Sequence, residues 1–236
     1  MARSLFTDAS YLPRGIIALS ILALVFGGFF HSQFSVEIQA QQPLKAVAAN
    51  TVITPPAASS ASEIFLQLAA TVAETVPAKR LIDYKFKFDP SSQPRYWAVV
   101  DFNQPSTSKR LYVFDTVEKS VNAYYVAHGR ASGDNIAERF SNQNGSNSSS
   151  LGIYRTLNEY NGHHGRSLRL EGLEPTNSNA LARAIVMHTA DYVSESFIRQ
   201  TGRLGRSEGC FAVERSVGDT LISELKSGTY IVATKS

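Results

Sequence analysis

Two stretches of this chain place apolar residues at helical spacing, and most of what lies between them follows a shorter beat. Ile64, Leu68 and Val72 recur at every fourth position behind Ser60 and Glu63, which stand at capping-box spacing; an amphipathic helix ending near Pro77 is expected. Beyond it, residues 96–102, 111–114 and 121–127 are short blocks rich in β-branched and aromatic side chains. Turn-forming runs such as Asn103-Gln104-Pro105-Ser106 separate them, the signature of strands. Further strands are expected at 152–156, 167–170, 184–188, 211–213 and 229–233, with short helices at 179–183 and 217–226. In the last of these Ser216 is the expected cap, and Val217, Leu221 and Leu225 form the buried face. Many short strands at close spacing with few helices indicate a mainly β fold, a sandwich of mixed sheets or a barrel-like form, rather than a doubly wound parallel sheet.

The pattern changes at the N-terminus. Residues 15–30, GIIALSILALVFGGFF, are uncharged and apolar behind Arg3 and Arg14. Sixteen residues fall short of the roughly 20 that span a bilayer comfortably as a helix, so 1–31 is expected to be a signal peptide or a short membrane anchor, with the remainder exported. Ile38-Gln39-Ala40 offers only a weak cleavage site, and no cysteine follows the run to accept a lipid. Residues 32–60, rich in Ala, Pro, Gln and Thr without hydrophobic period, are expected to be a linker, leaving 61–236 as one folded domain with an N-terminal helix.

Composition narrows the function by exclusion. With 43% hydrophobic and 18% charged residues the chain is not globally disordered. The net charge of +3, without a long basic run or a helix interleaving basic and aromatic residues, argues against nucleic-acid binding. Arg199, Arg203, Arg206 and Arg215 form a local cluster suited to pairing with carboxylates. Ser141–Ser150, SNQNGSNSSS, is a polar loop that could hold peptide amides or simply turn at the surface.

Cys210 is the only cysteine, so in an exported chain it cannot close an internal disulfide. It is either a buried bystander or a reactive thiol. A free thiol with a pKa near 8.5 is mostly protonated at neutral pH and needs a base within reach to become a nucleophile. His188 ends the apolar run Ala184-Ile185-Val186-Met187, twenty-two positions before Cys210, so a strand would carry its imidazole to a sheet edge. Gly209 lets the backbone approach a substrate closely, and the Gly209 and Cys210 amides could form an oxyanion hole.

Ile185-Val186-Met187-His188-Thr189, followed by Gly205-Arg206-Ser207-Glu208-Gly209-Cys210, resembles the active-site signature of L,D-transpeptidase (YkuD-type) catalytic domains of bacterial cell-wall enzymes. The likeness runs from about residue 96 to 233. It is closest to the murein L,D-transpeptidase catalytic-domain branch, through Val126-Ala127-His128-Gly129-Arg130, Phe140-Ser141-Asn142 and Ser149-Ser150-Leu151-Gly152-Ile153-Tyr154. The resemblance implies Cys210 as the acylated nucleophile and His188 as general base and later acid. Thr189 would orient the histidine through its backbone carbonyl, Ser207 would support the cysteine loop, and Arg206, Asn142, Ser141 and Tyr154 would contact substrate. It also implies peptidoglycan stem peptides as partners, a periplasmic or cell-envelope location, and no cofactor.

The signature commonly has His before Gly-Cys and Asn two residues after the cysteine; here Glu208 and Ala212 stand there, and the loop from His188 to Cys210 is longer. Glu208 is expected to point outward or to pair with Arg206. Three alternatives stay in view: hydrolysis with water as acceptor, a non-catalytic murein-binding domain, and a zinc peptidase using His163, His164, His188 and Asp191. The last lacks a recognisable ligand spacing.

Overall fold

The structure, a computed structural model, describes residues 60–236; the apolar segment and nearly all of the linker lie outside the described residues. Thirteen elements follow: α1 (Ala61–Thr71), α2 (Thr75–Phe88), β1 (Tyr96–Asp101), β2 (Leu111–Asp115), β3 (Ser120–Tyr124), β4 (Val126–Ala127), β5 (Gly152–Gly162), β6 (Gly165–Gly172), β7 (Val186–Thr189), α3 (Glu195–Thr201), β8 (Phe211–Val213), α4 (Arg215–Leu225) and β9 (Tyr230–Thr234). All strands belong to one mixed sheet in the order β3-β2-β1-β9-β5-β6-β7-β8-β4. The pairs β1·β9 and β7·β8 are parallel and the others antiparallel.

The block expected as one strand at 121–127 is in fact two. β3 forms one edge of the sheet and β4 the other, and only Tyr125 lies between them, so the sheet curls until it is nearly closed. Buried Arg110 sits at this seam and donates to the carbonyls of Val126 and Gln104. The barrel-like form expected from the strand pattern is the one adopted.

Period-2 alternation sorts β1 between two cores. Ala98 and Val100 face inward with Leu168, Met187, Phe211 and Ile231, and α4 packs there through Leu221, Ile222 and Leu225. Trp97 and Val99 face outward under the helices, with Phe65, Ala69, Ala78 and Leu81.

Other boundaries shift for identifiable reasons. The capping box is present, with the Glu63 amide donating to Ser60 Oγ and the Ser60 amide to Glu63 Oε2, but α1 stops at Thr71 where Ala73 turns to φ +63°. Pro77 does not end that helix; it lies in the first turn of α2, where an absent N–H costs nothing. Residues 179–183 form successive turns, not a helix. α3, unforeseen from the sequence, begins at the Ser194 cap and ends at left-handed Gly202. The cap of α4 is Glu214 rather than Ser216. Among the described residues no helix is long and apolar enough to cross a membrane.

Candidate active site

The parallel pair β7·β8 sets the geometry. Met187 lies opposite Phe211 and His188 opposite Ala212; Met187 and Phe211 point into the inner core. Alternation therefore sends His188 to the other face, while Cys210, one residue before β8, packs at the rim of the inner core. Both line a groove of about 510 Å³. A second cavity, of about 450 Å³ between Asp89, Arg95, Arg155 and Lys226, contains neither thiol nor imidazole.

His188 is nearly fully buried, and its Nδ1 lies 2.9 Å from the carbonyl oxygen of Thr189. A carbonyl only accepts, so Nδ1 carries the proton of the neutral ring and Nε2 keeps a lone pair. The Thr189 side chain points the other way, against Gly218 of α4, where a Cβ would meet its methyl group. The glycine thus lets α4 press on the strand that carries the histidine. The imidazole of His164, at the tip of the β5–β6 hairpin, stacks on His188 with centroids 4.2 Å apart and planes 19° from parallel. Burial pushes the His188 pKa down; the Thr189 carbonyl opposes this and His164 adds to it. The ring is neutral at pH 7.

The Cys210 thiol donates to the carbonyl of Ala184, 3.6 Å away. Burial raises its pKa, the Val186 amide and the Arg183 guanidinium lower it, and Glu208 adds a smaller upward push. With a raised thiol and a lowered imidazole, the two rest as thiol and neutral imidazole.

Ser207 is the keystone of the cysteine loop. Its Oγ donates to the Cys210 carbonyl at 2.7 Å and accepts from the Gly209 amide at 3.1 Å. Its backbone amide donates to the carbonyl of His128, and its carbonyl accepts from the Arg130 amide. Gly209 has φ +118°, and a Cβ there would come within 2.7 Å of the Ser148 carbonyl and 3.0 Å of Arg183. The Gly209 N–H, expected in the oxyanion hole, is thus committed to Ser207, leaving the Cys210 amide as the candidate donor.

Of the residues singled out in the sequence, Cys210, His188, Ser207 and Arg206 share the groove, with His163 and His164 beside them. Ser141, Asn142 and Tyr154 do not line it. Tyr154 is fully buried, its hydroxyl donating to the Ser150 carbonyl at 2.8 Å and its ring edge-on to Phe211. Asn142 is tied to the 175–179 turn through Pro175, Ser178 and Asn179. The Ser141 carbonyl accepts from Arg183. The polar loop is scaffolding, since Ser149 Oγ accepts from the Gly129 amide and donates to the Gly209 carbonyl.

The arginine cluster is likewise already paired. Arg199 meets Glu195, Arg203 and Arg206 share Asp134, and Arg215 takes Asp191, the carboxylate entertained as a zinc ligand. Glu208 faces outward to Arg130 at 3.2 Å, not to Arg206. What the sequence concealed is Arg183, Tyr160 and Tyr192 in the groove wall. Arg183 lies in turns read as a helix, and Tyr160 in a hairpin longer than its strand pattern.

A family model described as L,D-transpeptidase catalytic domain matches residues 69–233. No curated protein matches. Among solved structures, the chain is similar to an L,D-transpeptidase from Mycobacterium smegmatis (11% identity, 60% of this chain and 59% of that one, TM-score 0.37). It is similar also to L,D-transpeptidase 3 from Mycobacterium tuberculosis (10%, 60% and 62%, 0.40) and to an L,D-transpeptidase from Stackebrandtia nassauensis (13%, 72% and 76%, 0.37). The chain spans about six tenths of the length of the mycobacterial proteins, and likenesses this distant say nothing of chemistry. By the match over residues 69–233, the chain belongs to the L,D-transpeptidase catalytic-domain family.

Proposed function

We propose that this domain carries out cysteine-dependent acyl transfer on peptidoglycan stem peptides, with Cys210 as nucleophile and His188 as base. The observation that supports it best is the shared groove: a thiol and a neutral imidazole lining one cavity at β7·β8, the imidazole held by the Thr189 carbonyl so that Nε2 can take a proton. In the first half-reaction Sγ attacks the carbonyl at the L-centre of diaminopimelate while Nε2 takes the thiol proton. The tetrahedral intermediate collapses, the C–N bond to the terminal D-alanine breaks, and the imidazolium gives its proton to the departing amine. An acceptor amine then attacks the thioester, Nε2 takes its proton, and the thiol is restored. Residues 1–31 would direct the chain to the cell envelope, where that substrate lies.

Mass spectrometry of the full chain incubated with a disaccharide tetrapeptide tests this reading. Loss of D-alanine that survives EDTA and disappears in Cys210→Ala is expected. Loss that EDTA abolishes would point to zinc, and no loss would leave a murein-binding domain. Adding a second stem peptide separates crosslinking from hydrolysis by the mass of the product. A carbapenem adduct on Cys210 is expected, and its absence at high drug concentration would count against an activated thiol.

A further inference from the structure

Arg183 lies within hydrogen-bond reach of four groups on the polar loop. Nη1 donates to the Ser141 carbonyl at 2.7 Å and to Ser150 Oγ at 3.4 Å; Nη2 donates to the Ser148 carbonyl at 2.5 Å and to Ser146 Oγ at 3.2 Å. All four partners are neutral. Among the described residues no carboxylate lies within ion-pair distance of this guanidinium, whereas Arg130, Arg199, Arg203, Arg206 and Arg215 each have one. A half-buried cation held only by neutral oxygens keeps its charge undiminished; those hydrogen bonds offset part of its desolvation, and a nearby anion offsets more. Nη2 reaches to 3.0 Å from where a Gly209 Cβ would stand, and Arg183 shares the groove wall with Cys210. The anion it faces is the one the thiol becomes.

We propose that Arg183 is a positioning residue for Cys210: its four-pronged grip fixes residues 141–150 beneath the Gly209–Cys210 turn, and its unpaired charge is turned toward the sulfur. The proposal rests on the reading of Cys210 as nucleophile. The other charged or titratable groups of the groove wall are Glu208 and Arg206 on the cysteine loop, Arg130, His188 on β7, Tyr160, His163 and His164 of the β5–β6 hairpin, and Tyr192 after β7, with Tyr154 in the core behind it. Glu208, turned outward, still opposes ionisation, neutral His188 carries no charge, and Tyr154 and Tyr192, held well above neutrality by burial, are uncharged as well. Arg130 and Arg206 are each paired with a carboxylate, so Arg183 is the side-chain cation of the groove without one and the one that opposes Glu208 and the burial of the thiol.

The test is alkylation of Cys210 by iodoacetamide, a neutral reagent, followed across pH by mass spectrometry of the full chain. The plateau at high pH reports access to the sulfur, and the midpoint reports the charge around it. Arg183→Met is expected to move the midpoint to higher pH and to slow alkylation at pH 7.5 by about tenfold, the size of effect an opposite charge at this range exerts. Glu208→Gln is expected to move it the opposite way. Arg183→Lys keeps the charge but not the fork; its midpoint is expected near that of the wild type while amide exchange in 141–150 quickens. An unchanged midpoint in Arg183→Met, with or without a lower plateau, overturns the proposal. Should Arg183→Met not fold, an Arg183→Lys midpoint displaced upward by a full tenfold in rate overturns it instead. If Cys210→Ala retains muropeptide turnover, the nucleophile assignment fails, while the alkylation midpoints still report whether Arg183 sets the ionisation of this thiol.

Discussion

The region of the sheet under α1 and α2 and the region around Cys210 and His188 are built on opposite principles. Under the helices, Phe65 stacks on Trp97 at 4.7 Å and meets Phe114 edge-on at 5.0 Å, with Leu81, Ile153 and Val232 closing the layer. In the groove Cys210 packs at the rim of the inner core, and the apolar cluster that includes Ala212, the sheet partner of His188, is small: Ala127, Ala190, Val193, Leu204 and Ala212. There the backbone is held by directional groups: Ser207 within the cysteine loop, Ser149 of the polar loop on the Gly209 carbonyl, and Arg183 on the Ser148 carbonyl. Apolar area is non-directional and stabilises whatever it covers; hydrogen bonds fix atoms to within a fraction of an ångström. Stability and precision have been assigned to different regions of the sheet.

Breaking either region alone exposes the division. Cys210→Ala is expected to abolish D-alanine release while leaving the melting temperature within about a degree, because one half-buried sulfur is lost from a loop held by Ser207. Phe65→Ala is the converse. Removing a fully buried ring should cost about 3–5 kcal/mol in chemical denaturation, with turnover per folded molecule unchanged. Should Phe65→Ala impair turnover at temperatures where it remains folded, the two regions are coupled and the division is wrong.

His188→Gln sharpens the functional side. Loss of the base is expected to lower kcat/KM by about 10²–10⁴-fold. In the wild type the acid limb of the kcat/KM profile should fall below the ordinary imidazole value of 6.5, since burial and His164 disfavour the charged ring. His164→Ala should raise that limb toward 6.5; a limb that stays put would show that the stacked ring does not tune the base.

The smallest effect belongs to the helical side. Glu74, at the start of α2, has its carboxyl pushed up from 4.5 to about 7 by burial and by Asp101. A raised carboxyl supports the fold while protonated, so its contribution is full below pH 4.5 and fades as pH rises through about 7. Glu74→Gln should therefore be roughly 1–3 kcal/mol more stable than the wild type at pH 8 and close to it at pH 4.5, measured by urea unfolding at both.

What could be read from the residues alone divides along the same line. Strands announce themselves through alternation, and β1, β2, β8 and β9 lie within a residue or two of their expected bounds. Cys210 and His188 were legible because their residue types are few and their spacing is specific. Arg183 was not, because a guanidinium's role depends on which carbonyls surround it, and turns gather carbonyls from residues 141 to 150 that no local pattern connects. Tyr154 failed in the other direction. A motif position is equally compatible with lining a groove and with filling the core behind it, and its hydroxyl found Ser150 within the core.

The position of β9 between β1 and β5 has a consequence for how the molecule is made. Among the described residues it is the last strand in sequence and the one strand that pairs with both the three-strand portion β3-β2-β1 and the five-strand portion β5-β6-β7-β8-β4. Pairing across more than a hundred residues of sequence is slow to form, and here it waits for residues 230–234. A polypeptide interrupted before Tyr230 lacks the strand that pairs with both β1 and β5, and leaves the edges of both exposed.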